Sequence, residues 1–329
     1  MENNNSTSRR PKLEYLHLFR GISILFIVAA HLVWSDGDHP LIKHALRLMI
    51  SNSTIFFLII SGFLFEYLSI NYKAIPFLAK KLKYIALPYL FCSIPILLFL
   101  LIRFPEENSI KQLFNYLITG SHLGPFWYIP VILFFFLTSP IIIHIKRFIV
   151  FKYALIITLG YSILTSRPDS YNLISNVIYF FGFFHLGIVM AMHRHTIEHW
   201  FAQPKTLLFL FVLWAIPYSL QFANILPFDL KTIQLLLLGF LLMNVSYLIS
   251  HPFIKKVLSL LADYSFGIYF IHQYLINIFA AIAARIGFDY HNLIYSMVVF
   301  PIVIICSMVI IYTTKKLVGN KRSRLFIGS

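Results

Sequence analysis

Residues 293–313 read LIYSMVVFPIVIICSMVIIYT, an apolar run of 21 residues that contains no charged side chain. A helix needs about 20 such residues to cross the roughly 30 Å hydrocarbon core of a bilayer. Similar runs recur along the chain, which is 59% hydrophobic and only 12% charged. A water-soluble helical protein would show amphipathic stripes instead. The pattern therefore predicts an all-α integral membrane protein.

The sequence predicts about ten transmembrane helices in one bundle. Because no interval between the runs is long enough for a second domain, residues 1–329 are predicted to form a single transmembrane domain. Residues 1–12 form a cytoplasmic N-terminal tail in this prediction, and residues 314–329 form a basic cytoplasmic C-terminal tail. The predicted spans are 16–34, 49–69, 84–102, 126–145, 148–165, 173–192, 207–222, 233–250, 265–284 and 293–313.

The basic residues are divided unequally between the two sides of this predicted bundle. With the N-terminus in the cytoplasm, 19 of the 27 Lys and Arg residues fall on the cytoplasmic side and 7 on the outer side. This bias supports an even number of spans with both termini inside. The formal charge of +15 then belongs to the inner surface, where it suits anionic lipid headgroups first and a phosphate-bearing cytosolic substrate second. Nucleic acid is not a predicted partner.

Arg20 and His31 share the first predicted span. Eleven residues of helix separate them by roughly 16 Å and by close to three full turns, so both side chains face one way. Ionisable groups inside a membrane are expensive and usually functional. The simpler alternatives are that Arg20 reaches the inner headgroups and that His31 lies at the outer interface. The pair predicts a cation near the inner side and a general base nearer the outside.

Other polar and aromatic residues allow two interpretations each. His272 lies in the middle of the ninth span, where it binds a substrate or bridges two helices. Trp127 and Tyr128 fit an interfacial aromatic belt, and a sugar-stacking role for Trp127 is the alternative. The residues 193–199, HRHTIEH, fit a solvated juxtamembrane patch better than a metal site. Cys92 and Cys306 lie in apolar runs, without a CxxC pattern, and no metal is expected.

Two motifs in order resemble the membrane-bound acyltransferase-3 family. Residues 15–31, YLHLFRGISILFIVAAH, are similar to its Arg-Gly followed by a His ten intervening residues after the Arg. Residues 56–64, FFLIISGFL, resemble its F-x-x-S-G-F-L pattern. Weaker similarities follow at 80–89, 126–128, 139–140 and 265–272, so the resemblance covers the whole chain. The sequence departs from the family at two places. The basic cluster consists of Lys instead of the usual Arg. The family often has a His directly before this Trp, whereas His122 lies five residues before Trp127, so His122 is predicted to be an outer-loop residue.

The resemblance implies an O-acyltransferase that moves an acyl group, commonly acetyl from cytosolic acetyl-CoA, to a hydroxyl of an envelope polysaccharide or glycolipid. It implies a bacterial inner membrane as the location. His31 is then the predicted general base, with an acyl-histidine intermediate as the alternative. The implied donor-binding residues are Arg20, Lys80, Lys81 and Lys83. The implied cavity residues are Ser61, Trp127, Tyr128, His272 and Asp36, although Ser61 also suits close helix packing and Asp36 a solvated loop.

A multi-span exporter of a glycan or lipid-linked intermediate is the competing interpretation. Such carriers often have internal repeats with broken helices in matching positions. The second half of the chain contains no duplicate of the Arg20/His31 or Ser61-Gly62 elements. A non-catalytic scaffold is a third possibility, but it would leave the aligned Arg and His unexplained. The acceptor and the oligomeric state do not follow from the sequence.

Overall fold

The computed structural model describes residues 10–32, 39–168 and 172–329. Of these described residues, 82% are helical and none lies in a strand. The helices, in chain order, are α1 (Glu14–Ala30), α2 (Pro40–Ile50), α3 (Thr54–Leu68), α4 (Ala74–Lys81), α5 (Leu87–Arg103), α6 (Ile110–Thr119), α7 (Tyr128–Leu137), α8 (Ser139–Ile145), α9 (Ile149–Leu164), α10 (Leu173–Met192), α11 (Arg194–Phe201), α12 (Pro204–Phe222), α13 (Lys231–Leu248), α14 (Pro252–Arg285), α15 (Leu293–Val318) and α16 (Asn320–Phe326).

The prediction of a helical membrane protein is confirmed. Within the described ranges, seven helical segments are long and apolar enough to cross a membrane, and α6 with α7 adds an eighth if this pair is one span bent by 68°. The two other predicted spans fall on α1 and α9, which have 17 and 16 residues and are short for a full crossing. The number ten and the cytoplasmic position of both termini therefore stay predictions.

The structure adds detail to the predicted segments at three places. The polar interval 103–125 contains the helix α6, which ends at Gly120, a residue with a φ of 73° that favours glycine. The predicted span 126–145 is divided at Thr138 into α7 and α8. The predicted C-terminal tail is mostly helical, because α15 continues to Val318 and α16 packs back against α5.

Four helices form the centre of the bundle. The most extensive contacts are those of α3 with α10 and of α1 with α14, and α1 also contacts α3. Glycines allow both close approaches: a Cβ at Gly62 would overlap the carbonyl of Phe184, and a Cβ at Gly21 would overlap that of Leu258. Small residues at such interfaces are typical of membrane helices, whose association depends on van der Waals packing.

The outer helices expose their apolar side chains. Ile102 on α5 is 79% exposed, Ile157 on α9 is 76% exposed and Leu164 on α9 is 87% exposed. On α12, Pro217 is the one buried residue among nineteen described. Such surfaces are stable in lipid and would be unfavourable in water. The outer helices therefore form the lipid-facing surface and shield the central helices α1, α3, α10 and α14.

Candidate active site

Helix α14 contacts both Arg20 of α1 and His31, the residue that follows α1. The Arg20 guanidinium donates a hydrogen bond of 2.5 Å to the carbonyl of Ala262, and the His31 ring lies 5.3 Å from the His272 ring between centroids. Ala262 and His272 are ten residues apart on α14, which is about 15 Å along a helix. The predicted alignment of Arg20 and His31 thus has a physical basis, because both residues face the same neighbouring helix.

His31 lines a cavity of about 380 Å³ at its end of the bundle. The opposite end, which carries Arg10, Lys81, Lys146, Arg194 and Arg324, is called the basic end here. The lining includes Trp127, whose ring stacks on Phe180 at 4.7 Å between centroids. The Arg167 guanidinium carbon lies 4.8 Å from the centre of the Trp127 ring, within the range of a cation–π interaction. One wall of the cavity therefore presents an aromatic ring capped by a cation.

The opposite wall of this cavity is polar. Asn52 and Ser53 precede α3, and Gln273 follows His272 on α14. The Asn52 Oδ1, Ser53 Oγ and Gln273 Oε1 atoms are buried, and none has a hydrogen-bond partner among the described residues. Buried polar atoms in native proteins are nearly always hydrogen-bonded to protein or to ordered water, so this part of the lining has a hydrogen-bonding capacity that the surrounding side chains do not use.

His272 lies behind His31 and is fully buried. Its Nδ1 lies 3.0 Å from the carbonyl oxygen of Ile268, so the proton is on Nδ1 and this N–H donates. Its Nε2 is then the basic nitrogen, and it has no hydrogen-bond partner in the described part of the chain. His272 therefore presents a proton acceptor next to the His31 ring.

Tyr128 and Tyr269 lie between the levels of Arg20 and His31. Tyr269 is on α14 between Ala262 and His272, and its hydroxyl donates to the carbonyl of Pro125. The Tyr128 ring packs edge-on against it at 5.7 Å between centroids, and the Tyr128 hydroxyl lies 3.3 Å from Ser61 Oγ. Both rings are almost completely buried. The polar Ser61 contact is thus with Tyr128, while the neighbouring Gly62 carries the helix packing.

Three cations gather at the basic end below these tyrosines. Arg324 on α16 is close enough to Arg20 and Lys81 for its positive charge to act on both. The Asp263 carboxylate lies 3.9 Å from the Lys12 ammonium and 3.4 Å from the His17 ring, and it is close enough to Arg20 to offset part of the positive charge there, although no described carboxylate forms a direct ion pair with Arg20. We call Arg20, Lys81 and Arg324 the cationic cluster. It carries an excess of positive charge that an anion would balance.

Local backbone features position this cluster. The turn at residues 82–86 is a π-helix, and it leads into Pro88 in the first turn of α5. A proline lacks an N–H and its ring crowds the carbonyl four residues earlier, which widens the helix at this point. Tyr84 in that turn lies 4.4 Å below the Arg324 guanidinium, and Phe326 packs on Phe91 of α5. The π-turn and α16 thus hold Arg324 beside Lys81.

The structure shows where the predicted donor-binding lysines and the predicted cavity residue Trp127 lie. Lys81 is half-buried over the Phe136 ring at 3.8 Å and belongs to the cluster. Lys80 and Lys83 are exposed, as Arg324 is, and the Lys83 Nζ lies 5.7 Å from the centre of the Tyr84 ring that Arg324 also contacts. Trp127 is 4% exposed, so the belt interpretation is wrong for it and it is a cavity residue. Asp36 lies outside the described residues.

His122 is not a solvated loop residue, contrary to the prediction. It lies in the bend between α6 and α7 and is buried. Its Nε2 is 2.8 Å from Ser93 Oγ and its Nδ1 is 3.0 Å from the carbonyl oxygen of Tyr116. Both ring nitrogens are occupied, which fits a structural role in holding the bend against α5.

Sequence reasoning did not find Asn52, Ser53, Arg167, Gln273 or Arg324. Each is a common polar residue in a predicted loop, helix or tail, and only its partners in the fold give it a place in the site. The one usable signal was that Gln273 follows His272 in a predicted span. No group of three or more His, Cys, Asp or Glu side chains that could bind a metal occurs in the described ranges.

The fold and this site define the protein as a helical membrane protein with a histidine and an arginine at two levels of one bundle. The comparison with family models gives its enzymatic class. The model of the acyltransferase domain of the acyltransferase 3 family matches residues 13–312, nearly the whole chain. The chain therefore belongs to the acyltransferase 3 family and is a membrane acyltransferase. It has no match among curated proteins or among solved structures.

Proposed function

We propose that this enzyme transfers an acetyl group from cytosolic acetyl-CoA to a hydroxyl of an envelope polysaccharide or glycolipid in a bacterial inner membrane. The observation that carries the proposal is the arrangement along α14. At one end of the α1–α14 pair, Arg20 belongs to a cluster of cations. At the other end, His31 faces a cavity with buried, unsatisfied polar atoms. A donor and an acceptor can thus enter from opposite ends.

The cationic cluster is suited to the donor's nucleotide end. The phosphates of acetyl-CoA carry several negative charges. A guanidinium forms bidentate hydrogen bonds to phosphate, which a lysine ammonium does not. Arg20 and Arg324 supply two guanidiniums, and Lys81 adds a third charge. Lys80 and Lys83 are exposed near this entrance, where they raise the local potential without fixing the donor's geometry.

The donor's thioester arm must pass the two buried tyrosines to reach His31. The roughly 16 Å between Arg20 and His31 is a length that an extended pantetheine arm can span. The cavity lined by His31 does not include Arg20 in its lining, and the Tyr128–Tyr269 pair lies between the two levels. Donor binding therefore requires one of these rings to move. The single Ser61 contact of the Tyr128 hydroxyl makes Tyr128 the better candidate for this movement.

The cavity at His31 suits a sugar. Phe180 stacks on the Trp127 ring and the Arg167 guanidinium lies over it, so Arg167 is the group of this wall that a sugar meets, and its N–H groups donate to hydroxyl oxygens. Asn52, Ser53 and Gln273 offer oxygens that accept hydrogen bonds from hydroxyl groups. A cavity of about 380 Å³ is at the small end of the usual range for ligand pockets, so it accommodates one sugar unit and not a long glycan segment.

In the proposed reaction, His31 removes the proton from the acceptor hydroxyl as its oxygen attacks the thioester carbonyl carbon. The carbon–sulfur bond of the tetrahedral intermediate then breaks, and the departing thiolate takes the proton from the His31 ring. The products are the acetyl ester and CoA with a free thiol. His272 contacts the His31 ring and orients it for this proton transfer. Membership of the acyltransferase 3 family does not favour the exporter alternative.

The test measures transfer of radiolabelled acetyl from acetyl-CoA to envelope glycan. It uses membranes that contain matched amounts of wild type, His31→Ala, Arg20→Ala or His199→Ala. His199 is an exposed histidine on α11, so its replacement is the matched control. We expect label in the glycan with wild type and with His199→Ala, and at least a hundredfold less with the other two variants.

Equal labelling by all four proteins would remove His31 and Arg20 from the mechanism. Label that accumulates on the protein when no acceptor is present, and that depends on His31, would replace the general-base mechanism with an acyl-histidine intermediate. Absence of any transfer by the wild type from acetyl-CoA, but transfer from another acyl-CoA, would correct the proposed acyl group.

A further inference from the structure

A second cavity of about 550 Å³ lies at the basic end of the bundle, away from both parts of the candidate active site. None of Arg20, Lys81 and Arg324 is among its lining residues. Its charged walls are Arg10, Glu66, Lys146 and Arg194, and its apolar walls include Ile143 and Met192 from α8 and α10. This cavity has no role in the transfer reaction described above.

Only one of its cations is neutralised by the protein. The Lys146 Nζ donates to Glu66 Oε2 at 2.6 Å and to Ser69 Oγ at 2.8 Å, and the Lys146 and Glu66 side chains are only 18% and 17% exposed. A paired and hydrogen-bonded ion pair of this kind needs no further ligand. The positive charges of Arg10 and Arg194 therefore remain without a counter-charge from the protein.

The two arginines are fixed on the same aromatic ring. The guanidinium carbons of Arg10 and Arg194 lie 4.9 Å and 5.0 Å from the centre of the buried Tyr67 ring. The Tyr67 hydroxyl donates to the carbonyl of Pro11 at 2.9 Å, which ties the chain next to Arg10 to this ring. Stacking leaves the N–H groups at the guanidinium edges available to a ligand.

Neither arginine has an acidic partner. Across the described ranges, no carboxylate forms an ion pair with Arg10 or Arg194, and Arg194 donates instead to the ring of His195 at 3.1 Å. Two guanidiniums on one ring repel each other, and this costs free energy unless an anion lies between or beside them. The sequence pattern at 193–199 is thus part of an anion site and not only of a solvated patch.

We propose that this cavity binds a phosphate-bearing anion, held by Arg10 and Arg194, beside the apolar side chains of α8 and α10. Planar guanidiniums are the side chains best matched to phosphate oxygens. The phosphate belongs either to the headgroup of an anionic phospholipid, whose acyl chains would continue along Ile143 and Met192, or to a soluble phosphate ester. The site is separate from the proposed donor site, and the binding experiment that tests it does not depend on the proposed function.

The experiment uses the full chain in phosphatidylcholine nanodiscs. Binding of radiolabelled phosphatidylglycerol, supplied in the nanodisc, and of radiolabelled glycerol phosphate, supplied in solution, is measured for wild type, Arg10→Gln and Arg194→Gln. Arg322→Gln is the matched control, because Arg322 is exposed on α16 and is not part of the cavity. We expect each cavity variant to weaken binding about tenfold and the control to bind like wild type. Whichever probe shows this pattern identifies the source of the phosphate.

Two further measurements keep the outcome unambiguous. Arg194→Lys keeps the charge without the planar group, so it should restore part of the binding and show that Arg194→Gln failed for lack of charge and not of folding. The Michaelis constant for acetyl-CoA should be unchanged in both cavity variants, and a rise would assign the cavity to the donor site and overturn the proposal. Equal binding of both probes by wild type and cavity variants would also overturn it.

Discussion

Replacement of Gly62 by alanine tests the packing that holds the candidate site together. Gly62 on α3 contacts the backbone of α10, where an added Cβ would lie 2.9 Å from the carbonyl carbon of Phe184 and overlap its oxygen. Gly187 makes the reciprocal contact with the carbonyl of Ile59 on α3. Because the obstacle on each side is backbone and not a flexible side chain, the two helices cannot accept the methyl group without moving apart.

The expected cost follows from two opposing terms. Overpacking of a close interface costs about 3 kcal/mol at the upper end of its usual range, and we use this value because neither helix can yield locally. Alanine is favoured over glycine inside a helix by about 1 kcal/mol. The net destabilisation is therefore about 2 kcal/mol. The residues Asn52 and Ser53 immediately precede α3, so a shift of about 1 Å in this helix should also reduce acyl transfer about a hundredfold.

The matched control is Gly160→Ala. Gly160 is in α9, and an added Cβ there meets no atom within 4 Å, so only the helix-propensity term remains and a gain of up to about 1 kcal/mol is expected. The assay is unfolding of the purified proteins in mixed detergent micelles, with acyl transfer measured at equal folded concentrations. Equal stability of Gly62→Ala and wild type, or equal loss in both variants, would refute the reasoning.

Three further outcomes are expected. In steady-state kinetics, Arg324→Gln should raise the Michaelis constant for acetyl-CoA about tenfold, while Arg322→Gln on the same helix leaves it unchanged. With S-acetyl pantetheine, a donor that lacks the nucleotide phosphates, the two variants should have the same Michaelis constant. Ser61→Ala and Tyr128→Phe each remove one partner of the 3.3 Å contact, so in a double-mutant cycle of unfolding free energies the second change should add less than about 0.5 kcal/mol to the first. His272→Ala should lower kcat about a hundredfold with little change in the Michaelis constants, because it removes the ring that orients His31, and a wild-type kcat would contradict this role.

The fold class followed from composition because lipid imposes one simple requirement. Each span must be an apolar helix of about 20 residues, and such runs are visible in a single sequence. Prediction from apolar runs failed where the chain bends or breaks within a predicted span or beside one. At Thr138 the structure divides an apolar segment, and at Gly120 it bends the chain between the partly polar α6 and the apolar α7. Hydropathy alone contains no information about such changes of direction.

The sequence predicted a site residue only where burying its polar side chain in an apolar span is energetically unfavourable. Arg20, His31 and His272 are polar residues within apolar spans, so each was conspicuous in the sequence. Arg324 lies in a basic tail among four other cations from Lys315 onward, and nothing in the sequence distinguishes it from Arg322. Its place beside Lys81 depends on the return of α16 to α5, which is a contact between residues more than two hundred positions apart.

The pairing of a polar residue with glycine in Arg20-Gly21 and Ser61-Gly62 has one physical explanation in both helices. A polar side chain in the bundle must reach a partner on a neighbouring helix, since lipid offers none. The adjacent glycine allows the backbones to approach: Gly21 lies against Leu258 four residues before the carbonyl that accepts from Arg20, and Gly62 lies against α10 while Ser61 reaches Tyr128. The glycine therefore allows the adjacent polar side chain to find a hydrogen-bond partner inside the membrane. Replacing Gly21 or Gly62 should impair function as much as replacing Arg20 or Ser61.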